Sequence, residues 1–227
     1  MESFRSIWNG LDWSVLTDVL LRAVPALLCI TIHELCHGLT AYKLGDDTAY
    51  RAGRLTLNPL KHIDVMGLIM MLLFRFGWAK PVPVNIYRLR NPKRDMALVA
   101  LAGPVSNLLI AVVALFLYGI LLRPLGNGRA GEIVLELILT IASLSIALAI
   151  FNIIPIPPLD GSKVLFSLLP ENAYRSILRY ERYGMILLLL LVATGLLSKP
   201  LSTATSWVFS RLWRLAQWGY LLADKVI

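Results

Sequence analysis

The run His33-Glu34-Leu35-Cys36-His37 narrows the options more than any other, because the apolar stretch Val24 to Ile32 leads straight into it. On a helix, positions i and i+4 lie one above the other, so His33 and His37 can aim two imidazoles at one ion. Neutral imidazole suits zinc, and a catalytic zinc takes three protein ligands and keeps a fourth position open. Glu34 is offset from both histidines, beside the place of an attacking water, as a general base needs. A chance pattern or a solvated helix face is the plain alternative. At membrane depth that alternative is costly, since an ionisable side chain at a helix centre costs about 2.5–3.5 kcal/mol on insertion scales.

Composition supports the membrane setting. Of 227 residues, 57% are hydrophobic and 16% charged, against roughly 25% charged in an ordinary soluble domain. Several windows approach the twenty or so apolar residues that a bilayer crossing needs. The expected fold class is an all-α polytopic membrane protein with about four to five transmembrane helices. A short re-entrant or β-strand element is expected between the first and second. The opening Met1-Glu2-Ser3-Phe4-Arg5 lacks the features of a cleavable signal peptide. The net charge of +8 is spread over loops beside apolar segments, which points to anchoring at the bilayer and not to nucleic acid. Cys29 and Cys36 share one helix seven residues apart, about 10 Å at helical rise, too far for a disulfide. Cys36 lies between the histidines, but its offset from each favours packing over ligation.

In chain order, residues 1–14 read as an interfacial segment anchored by Trp8 and Trp13. Residues 15–200 form the expected core, with helices at about 15–44, 96–122, 132–154 and 183–197. Gly45-Asp46-Asp47 stops the first helix. Gly53-Arg54-Leu55-Thr56-Leu57-Asn58-Pro59 alternates like a short strand running into a turn. Val65 to Trp78 is apolar but too short for a comfortable span, which suits a re-entrant or interfacial segment. Pro81-Val82-Pro83 forbids a helix and favours an extended edge with few donors. Such an edge can take up an unfolded peptide by strand addition, although a rigid linker has the same composition. Asn107, in mid-helix, is expected to bond to a neighbouring helix. Residues 201–227 are amphipathic, either lying at the interface or forming a fifth span, and the former is preferred.

Ten Lys or Arg fall between Lys43 and Arg94, whereas only Arg123 and Arg129 stand between the second and third helices. The positive-inside rule then makes the first connection cytoplasmic. That places His33 and His37 about 10 to 16 Å into the membrane from its cytoplasmic side, at helical rise.

Two histidines leave a zinc site short of a donor. His62, Asp46, Asp47 and Asp64 sit in the polar connection, where solvated side chains and helix caps are common. Asp160 ends Asn152-Ile153-Ile154-Pro155-Ile156-Pro157-Pro158-Leu159-Asp160-Gly161, whose prolines break the third helix. Unwound backbone at that depth is tolerated only where protein packs it or a cavity needs it.

An intramembrane H-E-x-x-H followed by N-x-x-P-x-P-P-x-D-G resembles the site-2 protease family of intramembrane zinc metalloproteases. The resemblance extends to Gly53–Pro59, to Gly77-Trp78-Ala79-Lys80-Pro81-Val82-Pro83-Val84-Asn85 and to Gly103-Pro104-Val105-Ser106-Asn107, covering roughly residues 20 to 170. It implies one zinc ion held by His33, His37 and Asp160, with Glu34 activating the water and Asn152 steadying the oxyanion. It further implies endopeptidase action in the lipid bilayer, within or near the transmembrane helix of single-pass membrane proteins; the compact form suggests the cell membrane of a prokaryote. No PDZ or nucleotide-binding module is evident, so the chain looks like a short form. A non-hydrolytic zinc-binding or transport protein is the alternative, but three histidines, one of them in a loop, do not make a path. An intramembrane enzyme acting on lipidated C-termini shares H-E-x-x-H, and the Pro-Pro-Leu-Asp-Gly stretch disfavours it.

Overall fold

A computed structural model describes residues 13–67, 70, 78–170 and 183–226. The expected interfacial segment falls outside the described residues up to position 12. So do most of the expected re-entrant stretch and the polar stretch 171–182. Helix α1 runs from Trp13 to Lys43 and stops in a paired cap. Asp46 N–H donates to the Ala41 carbonyl at 2.9 Å and Gly45 N–H to that of Tyr42 at 3.1 Å. This is the Schellman arrangement, which needs a left-handed residue, and Gly45 supplies it at φ 110°.

Helix α2, Pro92–Leu125, starts with proline in its first turn, where the missing N–H costs nothing. The Asp95 carboxylate reaches back 2.8 Å to accept from Asn91 N–H. Helix α3, Arg129–Ile153, ends where the prolines begin, and after them α4, Asp160–Ser167, starts on the aspartate itself. Gly161 permits this tight return, since a Cβ there would collide with the carbonyl of Ile153. Helix α5, Tyr183–Ala193, bends by 84° into α6, Ser198–Val226, through Gly195 at φ 70°.

α1 from Leu21, α2 and α3 are each long and apolar enough to cross a membrane, and α5 with α6 makes a fourth only if the bent pair counts as one span. Among the described residues that makes three or four candidate spans, in keeping with the expected all-α polytopic fold. α5 stops at Ala193 rather than near 197, because the left-handed glycine that follows ends it. Leu109 and Val113 on α2 are 60% and 56% exposed. Apolar surface of that kind is suited to lipid.

α2 is the hub, touching α1, α3, α4 and α6. Lipid tails give helices no hydrophobic reason to associate, so small residues that let backbones close in must do the work. On α2 and α6, Gly119 faces the Ala216 backbone and Gly219 faces that of Phe116, so closely that a Cβ on either glycine would collide. The amphipathic α6 thus packs lengthwise on a span. Leu115, Ala114 and Ala142 form a core with Ile138, Phe209 and Trp213 around them. Cys29 Sγ stands 3.1 Å from Ser145 Oγ, linking α1 to α3. Both cysteines are free thiols.

The connection between α1 and α2 holds the expected extended pieces, but no strand forms among the described residues. One antiparallel bridge, Ile63 to Ala79, joins them, with Lys80 N–H donating 2.9 Å to the His62 carbonyl. Asn58 caps a turn of 3-10 helix over Pro59–His62, which ends the alternation before a ladder can grow. On the other side Pro81 and Pro83 have no donor to extend it.

Candidate metal centre

Three side chains from two distant parts of the chain meet at one point. His33 Nε2 and His37 Nε2 each stand 3.1 Å from the same oxygen, Oδ2 of Asp160. Donors shared by one tetrahedral zinc at about 2.0–2.1 Å would stand about 3.3 Å apart. The observed spacing is within a few tenths of that edge. All three residues are buried.

The outer contacts also suit a metal. The Val99 carbonyl on α2 accepts from His37 Nδ1 at 2.7 Å. That hydrogen bond puts the ring hydrogen on Nδ1 and leaves Nε2 free to ligate. Asn107, wholly buried on the same helix, brings its amide nitrogen within 3.1 Å of His33 Nδ1, so the expected bond to a neighbouring helix is present. A metal on His33 Nε2 would put the ring hydrogen on Nδ1, which then needs an acceptor. Asn107 Oδ1 is a buried oxygen with no hydrogen-bond partner, and a half-turn of the amide presents it. The residues therefore fit zinc both in donor spacing and in an acceptor left unspent.

Glu34 borders this trio. Its carboxylate, like a nitrogen of each histidine, belongs to a group whose members lie within 4.8 Å of one another. Asp160 stands 3.1 Å from both rings, within ligand spacing. Glu34 Oε2 instead accepts from the backbone N–H of Val82 at 2.8 Å.

The other acids and the third histidine are employed elsewhere. Asp46 accepts from Thr48 at 3.0 Å and from Asn85 N–H at 2.6 Å. Asp47 pairs with Arg51 and Arg88, where the Arg51 hydrogen bond lowers its carboxyl. Asp64 accepts from Gly67 N–H at 2.9 Å, as a cap does, and His62 Nε2 faces the Thr56 carbonyl at 3.0 Å. Asn152 donates back to Leu148 O at 3.0 Å, one turn up its own helix, with a second amide hydrogen left over.

Gly103 lets α2 approach α1 closely, as a small residue in a membrane helix can. A Cβ there would lie 2.5 Å from His33 Cε1, His37 Cε1 and His37 Nε2, so the α2 backbone is pressed directly against both rings. The Gly-x-x-x-Asn spacing puts Gly103 and Asn107 on one face of α2, and this is the signal that could have found them.

Comparison with known proteins gives the following. The family described as Peptidase family M50 matches residues 126–197, a stretch that includes Asn152 and Asp160. The chain is 41% identical over 176 residues to a Bacillus subtilis protein named "Putative zinc metalloprotease YwhC", covering 76% of this chain and 80% of that one. Proteins named Rip2, with the same descriptor, are 29% identical over 187 residues in Mycolicibacterium smegmatis and 28% over 206 residues in Mycobacterium tuberculosis. These alignments cover 81% and 87% of this chain and 70% and 77% of the relatives. No solved structure matches.

Proposed function

Because the chain belongs to peptidase family M50, the site-2 type of zinc metalloprotease, we propose that it is an intramembrane endopeptidase cutting single-pass membrane proteins within or near their transmembrane helix. The convergence of His33, His37 and Asp160 on one point between apolar spans carries this reading. His33, His37 and Asp160 hold the metal. Bound there, zinc supplies Lewis acidity that polarises a carbonyl and makes water a nucleophile at neutral pH.

Glu34 takes the proton from the attacking water and passes it to the leaving amine as the C–N bond breaks. Asn152, through its second amide hydrogen, steadies the oxyanion. The extended Pro81–Val84 segment holds the unwound substrate alongside. The excess of Lys and Arg in the α1–α2 connection supports an active site nearer the cytoplasmic side of the membrane.

The test is reconstitution. Purified protein in lipid vesicles should cleave a co-reconstituted single-pass substrate, lose that activity to a zinc chelator and regain it with added zinc. Vesicles that bind zinc stoichiometrically but never cleave any membrane-helix substrate would favour the non-hydrolytic alternative.

The outer contacts yield a separate expectation. If Asn107 Oδ1 serves His33, then Asn107→Leu, which fills the space but accepts nothing, should weaken zinc binding about 10–100-fold. Asn107→Asp, which keeps an acceptor, should lose less. Competition titration against a chromogenic chelator reads both directly.

A further inference from the structure

Pro81-Val82-Pro83 packs against the metal centre, yet its two prolines leave it a single backbone donor, the N–H of Val82. That donor is spent on Glu34 Oε2 at 2.8 Å. We propose that the Val82 amide is the positioning group for the catalytic base, so that the extended segment and Glu34 form one unit. The inference rests on the reading of Glu34 as general base.

Several independent features make the contact a built one. Glu34 and Gly38 are four residues apart and share a face of α1. A Cβ on Gly38 would lie 3.0 Å from Val82 Cγ1 and 2.5 Å from Leu55 Cδ2, so the bare glycine admits Val82 beside the glutamate. Val82 is itself buried. On either side the segment is pinned by other bonds. Arg54 donates 2.7 Å to Lys80 O, Lys80 N–H donates to His62 O, and Asn85 N–H donates to Asp46. The prolines remove the competing donors next to Val82, and a carboxylate accepting from an amide N–H gains a charge-assisted bond that fixes its rotamer. A substrate strand laid along this segment would then meet a base already oriented at the bond to be cut.

Hydrogen exchange tests the contact without any turnover. Because Pro81 and Pro83 have no amide hydrogen, exchange over residues 81–83 reports Val82 alone. In the zinc-loaded full chain, the Val82 amide should exchange at least tenfold more slowly in wild type than in Glu34→Ala. Glu34→Gln, whose carbonyl still accepts, should keep most of that protection. Equal exchange in wild type and Glu34→Ala overturns the proposal even if the enzyme proves to be a protease as described.

Kinetics test the role. Val82→Pro deletes the N–H from a stretch that already tolerates proline and should have a kcat at least tenfold below that of Val82→Ala, which also loses the valine side chain but keeps the amide, with KM and zinc content alike in the two variants. A Val82→Pro enzyme with the kcat of Val82→Ala overturns the inference and leaves the proteolytic reading intact. Should that variant fail to fold, the exchange comparison decides alone.

Discussion

Glu34→Gln is expected to bind zinc like the wild type and to lose about 10²–10⁴ in kcat, the range that a positioned acid–base group contributes. The expectation follows from distance. Glu34 is close enough to the two imidazoles to share their site, but Asp160 is the carboxylate that meets both at 3.1 Å. Removing the Glu34 charge should therefore leave the ligand set whole. A glutamine is isosteric and still accepts from an amide, but it cannot take a proton from water at neutral pH. Metal analysis and single-turnover cleavage on the same preparation separate the two properties. Loss of zinc in this variant would move Glu34 into the ligand set.

Asp160→Ala is expected to lose both metal and activity. The carboxylate is the only donor among the three that comes from outside α1, so without it two imidazoles remain, and two ligands do not make a closed zinc site. The drop in affinity should exceed the roughly 10–100-fold that follows loss of an outer hydrogen-bond partner. It should also exceed the loss in Asn107→Leu measured side by side. Full zinc occupancy in purified Asp160→Ala would exclude the residue from the ligand set. Replacement also removes the carboxylate that both imidazoles face, so a thermal scan belongs beside the titration to separate folding from binding.

What could be read in advance divides along a physical line. The two histidines were legible because helical spacing alone brings positions 33 and 37 together. Asp160 was singled out by the prolines that break the helix before it, but its pairing with α1 came only from resemblance, since 127 residues separate it from His33. That Asn107 bonds across to a neighbour followed from a polar amide in an apolar helix. Its partner did not, because that depends on how α1 and α2 face each other. Gly103 and Val82 act through a missing side chain and a main-chain N–H, groups that residue types do not advertise. The span count was least legible at the C-terminal end. There an amphipathic sequence fits an interfacial helix and a span equally, and Gly119 and Gly219 bring α6 into contact with α2.

The contact at Gly103 carries one more consequence. With the α2 main chain pressed against Cε1 of both imidazoles and Nε2 of His37, and Asp160 on another flank, an ion held there would be closed on those sides. On the proposed reading, water and scissile carbonyl would reach it past Glu34 and the segment around Val82.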